Sequence, residues 1–269
     1  MCSEALTLVR APIDPNTGKP YETCGYALFP GLALAESEPE LVVLLYDSIL
    51  HLHQDTAMFL YYGREGADPL LNRKWQQRFL VRWRELGKPT MIVISPEDKR
   101  FFRGHLGEIK TVPIYDELLS GSISGGCNRE LYRLDEPEDY GFDKPIRQLA
   151  DMMGAVIYDP AAGDLPAEDA DRIPLLTSSI DRRNQLKREG REAVHVLELV
   201  YGMGRSNAHL AHTHSEGHDH DHDQPPQVRD AALSPEEKNA IEALFDNTAK
   251  RQNLQEVRDT LLQFFWGES

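Results

Sequence analysis

Two short apolar runs flanking one amphipathic segment constrain this chain most. TAMFLYYG (residues 56–63) and PTMIVIS (residues 89–95) are apolar with little alternation. A strand covered on both faces reads this way. Between them Asp68 can cap a helix and Pro69 can open it. Trp75, Phe79, Trp83 and Leu86 then recur at i, i+4, i+8 and i+11, one stripe of a helix that Gly87 ends. Pro96, Glu97 and Asp98 open another short helix through about Gly104, and IKTVPIY (residues 109–115) supplies a third strand. This order predicts an α/β (or α+β) fold: a mixed sheet with a central βαβ core flanked by helices.

The flanking segments extend the pattern. Residues 4–9 read as a strand. Residues 11–31, with four prolines and three glycines, read as a loop over the surface. SEPE predicts a helix with Ser37 as N-cap, followed by Leu41, Leu44, Leu45, Ile49 and Leu52 at helical spacing. ELYRL (130–134) and AVIYDP (155–160) read as strands around a helix that carries Ile146, Leu149 and Met153. Residues 178–189 read as helix. EAVHVLELVYG (192–202) reads as a strand that buries and hydrogen-bonds His195. At the C-terminus SPEE (234–237) is a capping box, and NLQE (253–256) repeats that logic. A two-helix hairpin follows, too small to bury both of its stripes alone. The expected organisation is an α/β main domain over 1–204, a His/Asp-rich flexible linker over 205–232 and the helical hairpin over 233–269. No internal sequence repeat is evident.

The run ELGKPTMIVISPEDKRFFRGHLGEIKTVPIYDELLSG resembles the later half of the anti-sigma-factor-antagonist (STAS) fold. The polar helix start of that family is absent before Trp75. The resemblance implies a topology and carries no site residues.

Charge narrows the partners. A net charge of −15 disfavours nucleic acid and anionic membrane, and it favours a basic protein partner. Between Asp135 and Arg172 eleven acids face three bases, whereas between Asn72 and Lys110 ten bases face four acids. These segments either face each other or are solvated; alternatively, the acidic one docks a basic partner. No apolar run is long enough to span a bilayer. Three scattered cysteines argue against a disulfide framework and for the reducing cytoplasm. The opening MCSEALTLVR does not read as a signal peptide.

HLAHTHSEGHDHDHDQPP (209–226) is the richest source of metal ligands. His209, His212, His214, His218, His220 and His222 are interleaved with Asp219, Asp221 and Asp223. Imidazole and carboxylate suit Zn or Ni. The tract has no apolar residue between Ala211 and Val228, so it lacks the packed surround that a catalytic metal needs. It reads as a metal-collecting linker or as a plain polar one. HLHQDT (51–56) is similar to the His-x-His-x-Asp turn of the metallo-β-lactamase fold, but Thr56 stands where that turn ends in a histidine. His51 and His53 share a face only on a strand. A helix C-terminus is the preferred reading.

SGSISGGCN (120–128) matches no nucleotide-binding motif. Its glycines free the backbone, and Cys127 is a candidate nucleophile if His105 or His195 approaches it. Lys74, Arg78 and Arg82 flank the aromatic stripe and read as cations at the rim of a core. Three functional readings stay open: a non-enzymatic binding protein with a Zn- or Ni-binding linker, an acidic immunity-type protein that neutralises a basic toxin or other basic partner, and an enzyme using the loop around Cys127.

Overall fold

A computed structural model describes residues 6–62, 69–121, 131–135, 141–159, 172–202 and 248–267. The fold is mixed α/β, as the alternating pattern predicts, with two sheets among the described residues. The first contains β1 (Leu6–Arg10), β2 (Tyr26–Phe29), β3 (Ala57–Tyr62), β4 (Thr90–Val93) and β5 (Thr111–Pro113) in the order β1-β3-β2-β4-β5. Only β1 runs antiparallel, with Leu8 opposite Leu60. β2 pairs in parallel with β3 on one side and β4 on the other, and β5 joins β4 in parallel. The second sheet contains β6 (Leu131–Leu134), β7 (Val156–Tyr158), β8 (Leu175–Thr177) and β9 (Ala193–His195). Its order is β7-β6-β8-β9, parallel throughout.

The helices are α1 (Leu32–Ser37), α2 (Pro39–Leu52), α3 (Pro69–Glu85), α4 (Pro96–His105), α5 (Ile114–Ser120), α6 (Asp143–Met152), α7 (Ile180–Arg188), α8 (Val196–Tyr201) and α9 (Thr248–Trp266). In each half the second strand lies on one side of the first, and the third and fourth lie on the other: β3-β2-β4-β5 and β7-β6-β8-β9. A sequence without a visible repeat thus folds into a repeated topology. Strand direction of travel reverses between β2 and β4, and again between β6 and β8. In open parallel sheets that reversal leaves a crevice outside the carboxyl ends of the strands, where ligands bind.

The core follows the predicted stripes. All six residues of β3 are buried, and Phe79 and Trp83 of α3 are buried with them. Phe59 packs on Phe79 with tilted rings 4.3 Å apart, and Phe29 meets Phe102 edge-on at 5.3 Å. One hydrophobic cluster runs from Leu28 and Phe59 in the first half to Tyr132, Leu176 and Val196 in the second. Helix α9 packs on α2 and β1 through buried Val257 and Leu261. Arg258 pairs with Glu40 at 2.7 Å, and Arg10 pairs with Glu256.

Several local expectations are corrected. Residues 26–29, read as loop, form the central strand β2. Four residues between proline and glycine turns show too little pattern to be seen, and pairing on both edges makes the strand. Residues 196–201 form α8 and not a strand. His195 and Glu198 make a capping box, and Gly202 ends the helix in the left-handed conformation at φ 69°. These local bonds outweigh the β-preference of the valines. Ser37 ends α1 and does not cap α2, which starts at Pro39 after Glu38. Asn253 does not open a helix: α9 begins at Thr248 and buries Asn253 in its interior. The expected first helix of the hairpin, from Ser234, lies outside the described residues.

Candidate functional site

Three strand-to-helix turns, distant in sequence, meet at one cavity of about 150 Å³. The first follows β2 and contributes Pro30, Gly31 and the first turn of α1. The second follows β4 and contributes Ile94, Ser95, Glu97 and Asp98. The third follows β8 and contributes Ser178, Ser179, Ile180 and Asp181. The first two form the crevice of the first sheet, and the third closes it with the equivalent turn of the second half. Leu34, Ile94 and Ile180 are buried in the walls, while Leu32, Glu97 and Asp181 are exposed around the opening.

Asp98 is the chemically distinctive group. Ser95 caps α4: its Oγ accepts the Asp98 N–H at 3.1 Å, and its hydroxyl donates to Asp98 Oδ2 at 2.8 Å. The carboxyl packs against Gly31, whose φ of 77° suits glycine. A Cβ at Gly31 would stand 2.6 Å from Asp98 Oδ2, so a larger residue there would have to displace this carboxyl. The Gly31 carbonyl accepts the Tyr62 hydroxyl at 3.1 Å. Asp98 is half-buried, with its open surface on the cavity. Burial pushes its carboxyl up from the usual 3.8 to about 7; Glu97 and Asp181 add to the rise and Ser95 opposes it. The same enclosure raises Tyr62, with the nearby Asp98 charge contributing. A carboxyl poised near neutrality can accept or release a proton under ordinary conditions.

The equivalent place in the second half is filled differently. Ser179 caps α7 by accepting the Arg182 N–H at 3.2 Å. Arg182 then reaches across the second crevice to Asp135, just beyond β6, with Nε to Oδ2 at 2.6 Å and Nη2 to Oδ1 at 3.4 Å. Its neighbour Arg183 is buried and donates to Glu198 and, at 2.9 Å, to Glu38. Glu38 is the C-cap of α1, so this network ties the cavity wall of the first half to α7 of the second. His195 is buried, as the sequence indicates. Its Nε2 donates to the Ser178 carbonyl at 2.9 Å, and its Nδ1 accepts the Leu197 N–H at 3.2 Å. Burial holds it neutral, with its pKa lowered to about 3.

The sequence-selected residues lie elsewhere. His105 is exposed on α4 beside Phe101, with ring centroids 5.3 Å apart, and does not line the cavity. Cys127 lies outside the described residues, as do His209, His212, His214, His218, Asp219, His220, Asp221 and His222. Among the described residues no group of three metal-ligating side chains forms. His51 is in the last turn of α2 and His53 caps its end, the helical placement the sequence favours. His53 stacks on Tyr26 at 4.0 Å and donates to Glu117 at 2.7 Å. Lys74, Arg78 and Arg82 border an open groove over Tyr61.

Gly31, Ser95, Asp98 and the Ser178–Ser179 turn escaped the sequence reading as site residues. The signal available was a pair of similar strand-to-helix starts, VISPED and TSSIDR. Each places the capping serine two residues after its strand ends. No family model, no curated protein and no solved structure matches the chain.

Proposed function

We propose that this chain is a binding protein for a compact small molecule, held in the cleft where the two halves meet. The carrying observation is the convergence of both sheets' carboxyl-end turns on one cavity, with Asp98 desolvated at its wall. Parallel α/β sheets bind ligands at this place. Keeping a carboxyl there at a raised pKa costs stability that a purely structural turn would avoid.

The test is a thermal-shift panel of small amines, polyols and carboxylic acids against the wild type and Ala33→Trp. Ala33 lines the cavity at half-burial, so the indole plugs it from the rim. Compounds that stabilise the wild type and not a folded A33W protein support the reading. A panel with no stabilising compound at millimolar concentration refutes it.

The histidine tract supports a second, separable role as a transition-metal collector. Its alternating His218-Asp219-His220-Asp221-His222 offers several interchangeable ligand sets for Zn or Ni. Deleting residues 209–223 abolishes Zn uptake measured by calorimetry if the tract is that collector. Unchanged uptake refutes it.

A further inference from the structure

We propose that the groove on α3 docks an acidic peptide segment of another protein, whose spaced carboxylates pair with Lys74, Arg78 and Arg82. The proposal is independent of the cleft between the two halves.

The groove holds about 680 Å³, inside the range of ligand-binding clefts, about 300–1,000 Å³. Tyr61 of β3, itself buried, lies at its base. One face of α3 forms its wall. Lys74, Arg78 and Arg82 stand in one row, with Gln77, Val81 and Glu85 in the next. Each row advances by four residues, so its members share a face of the helix. All six are exposed.

Charge here runs against the rest of the chain. The whole sequence carries 44 acids and 29 bases. Helix α3 carries Arg73, Lys74, Arg78, Arg82 and Arg84 against Glu85 alone. Two of these cations have partners: Arg82 pairs with Glu85 at 2.8 Å and Arg84 with Glu108 at 2.9 Å. Lys74 and Arg78 meet no carboxylate among the described residues. Arg78 approaches the Tyr61 hydroxyl, which leaves its charge unneutralised. Like charges one turn apart destabilise a helix. The row therefore costs the isolated protein stability, and an anionic partner would relieve that cost. The net charge of −15 opposes an anion at long range. Charges beyond about 8 Å are screened at physiological salt, so the row decides what can dock on it.

The spacing selects among anions. From Lys74 to Arg82 the row rises about 12 Å, in steps of about 6 Å. A compact anion reaches one or two of the cations. An extended peptide with an acid at every second position sets its carboxylates about 7 Å apart on one side, close to the step of the row. Arginine also takes carboxylates through two parallel hydrogen bonds. Val81, half exposed between the cations, gives the peptide an apolar contact. Single-stranded nucleic acid needs open aromatic faces for its bases, and the one ring in this lining, Tyr61, is buried. A membrane surface needs a broad apolar face, and this one offers a single valine.

The experiment is fluorescence anisotropy of a labelled Asp-Ser-Asp-Ser-Asp-Ser-Asp peptide with the full chain. The same peptide with asparagine for aspartate is the neutral control. The acidic peptide should bind in low salt and weaken at least about fivefold near physiological salt, while the neutral one stays silent. Lys74→Glu with Arg78→Glu should weaken binding at least about tenfold. Lys187→Glu with Arg188→Glu makes the same charge change at exposed positions of α7 and should leave binding within about twofold. Equal losses from both pairs overturn the groove, because net charge alone would then act. No acidic-peptide binding at millimolar concentration overturns it as well. Tighter binding of oligothymidylate or of phosphatidylserine vesicles than of the peptide overturns the choice of partner. Citrate binding as tightly as the peptide overturns the spacing argument. Acetylation of the wild type followed by mass spectrometry tests the site whatever the folding of the variants. The peptide should slow modification of Lys74 and not of Lys187, and equal rates at Lys74 with and without peptide overturn the proposal.

Discussion

Asp98→Asn should make the protein more stable at neutral pH while removing its most distinctive group. In the unfolded chain this carboxyl titrates near 3.8, and in the fold near 7. Between those values the folded state holds a proton that the unfolded state has lost, so stability falls as pH rises through that window. The stabilising contribution of the protonated form is complete below pH 4 and gone above about 7. A rise of about three units corresponds to about 4 kcal/mol at most. The carboxyl keeps part of its surface on the cavity, so about 2 kcal/mol is the expected share. An asparagine keeps the acceptor for the Ser95 hydroxyl and carries no charge to desolvate. Urea unfolding of both proteins at steps from pH 4 to pH 8 measures the difference. The variant should match the wild type near pH 4 and exceed it by about 2 kcal/mol at pH 8. With a slope of about 2 kcal/mol per molar urea, that moves the midpoint by about 1 M. A variant no more stable than wild type at pH 8 refutes the reasoning. So does an equal gain at pH 4, because titration could not then be its source.

Three further outcomes are expected. His195→Asn, which keeps an N-cap acceptor, should cost stability at pH 7. The gap to wild type should narrow by about 1.4 kcal/mol per pH unit below 6, because only the wild-type unfolded chain gains a proton there while folded His195 stays neutral down to about 3. A gap constant from pH 7 to pH 5 counts against it. Arg183→Met removes the partner of Glu198 and Glu38 and should cost about 3–5 kcal/mol; a loss below about 1 kcal/mol in denaturant would show that solvent already screens the network. Leu261→Ala, at a fully buried contact of α9, should cost about 2–5 kcal/mol and speed amide exchange in α2. Unchanged exchange there would separate α9 from the core.

The legible parts of the fold were those specified within one segment. The Phe79–Trp83 stripe, the apolar β3 and β4 runs and the Pro96 helix start each carry their own pattern, and each formed. Elements that depend on distant partners were not legible. Tyr26–Phe29 is a strand because β3 and β4 bracket it, and its four residues show no period of their own. The Val194–Val200 run looked extended by propensity, but the His195–Glu198 capping box and the Gly202 cap turn its second half into helix. The site was hidden for a related reason. Its three turns are separated by tens of residues, contain ordinary serines, acids and glycine, and become a cavity only when two sheets present the same ends to each other. The histidine tract, by contrast, drew attention by composition alone.

The two halves differ at one corresponding point, and that difference divides their labour. Asp98 and Arg182 both stand three residues beyond a capping serine, at the mouths of equivalent crevices. Arg182 meets Asp135, and the charges at its crevice form a pair. Among the described residues Asp98 is hydrogen-bonded by Ser95 and packs beside Gly31. The first half therefore bears the cost of an unneutralised carboxyl, and the second adds the exposed Asp181 to the same wall. If the cleft binds as proposed, saturation should come at one molecule per chain, although the topology is present twice.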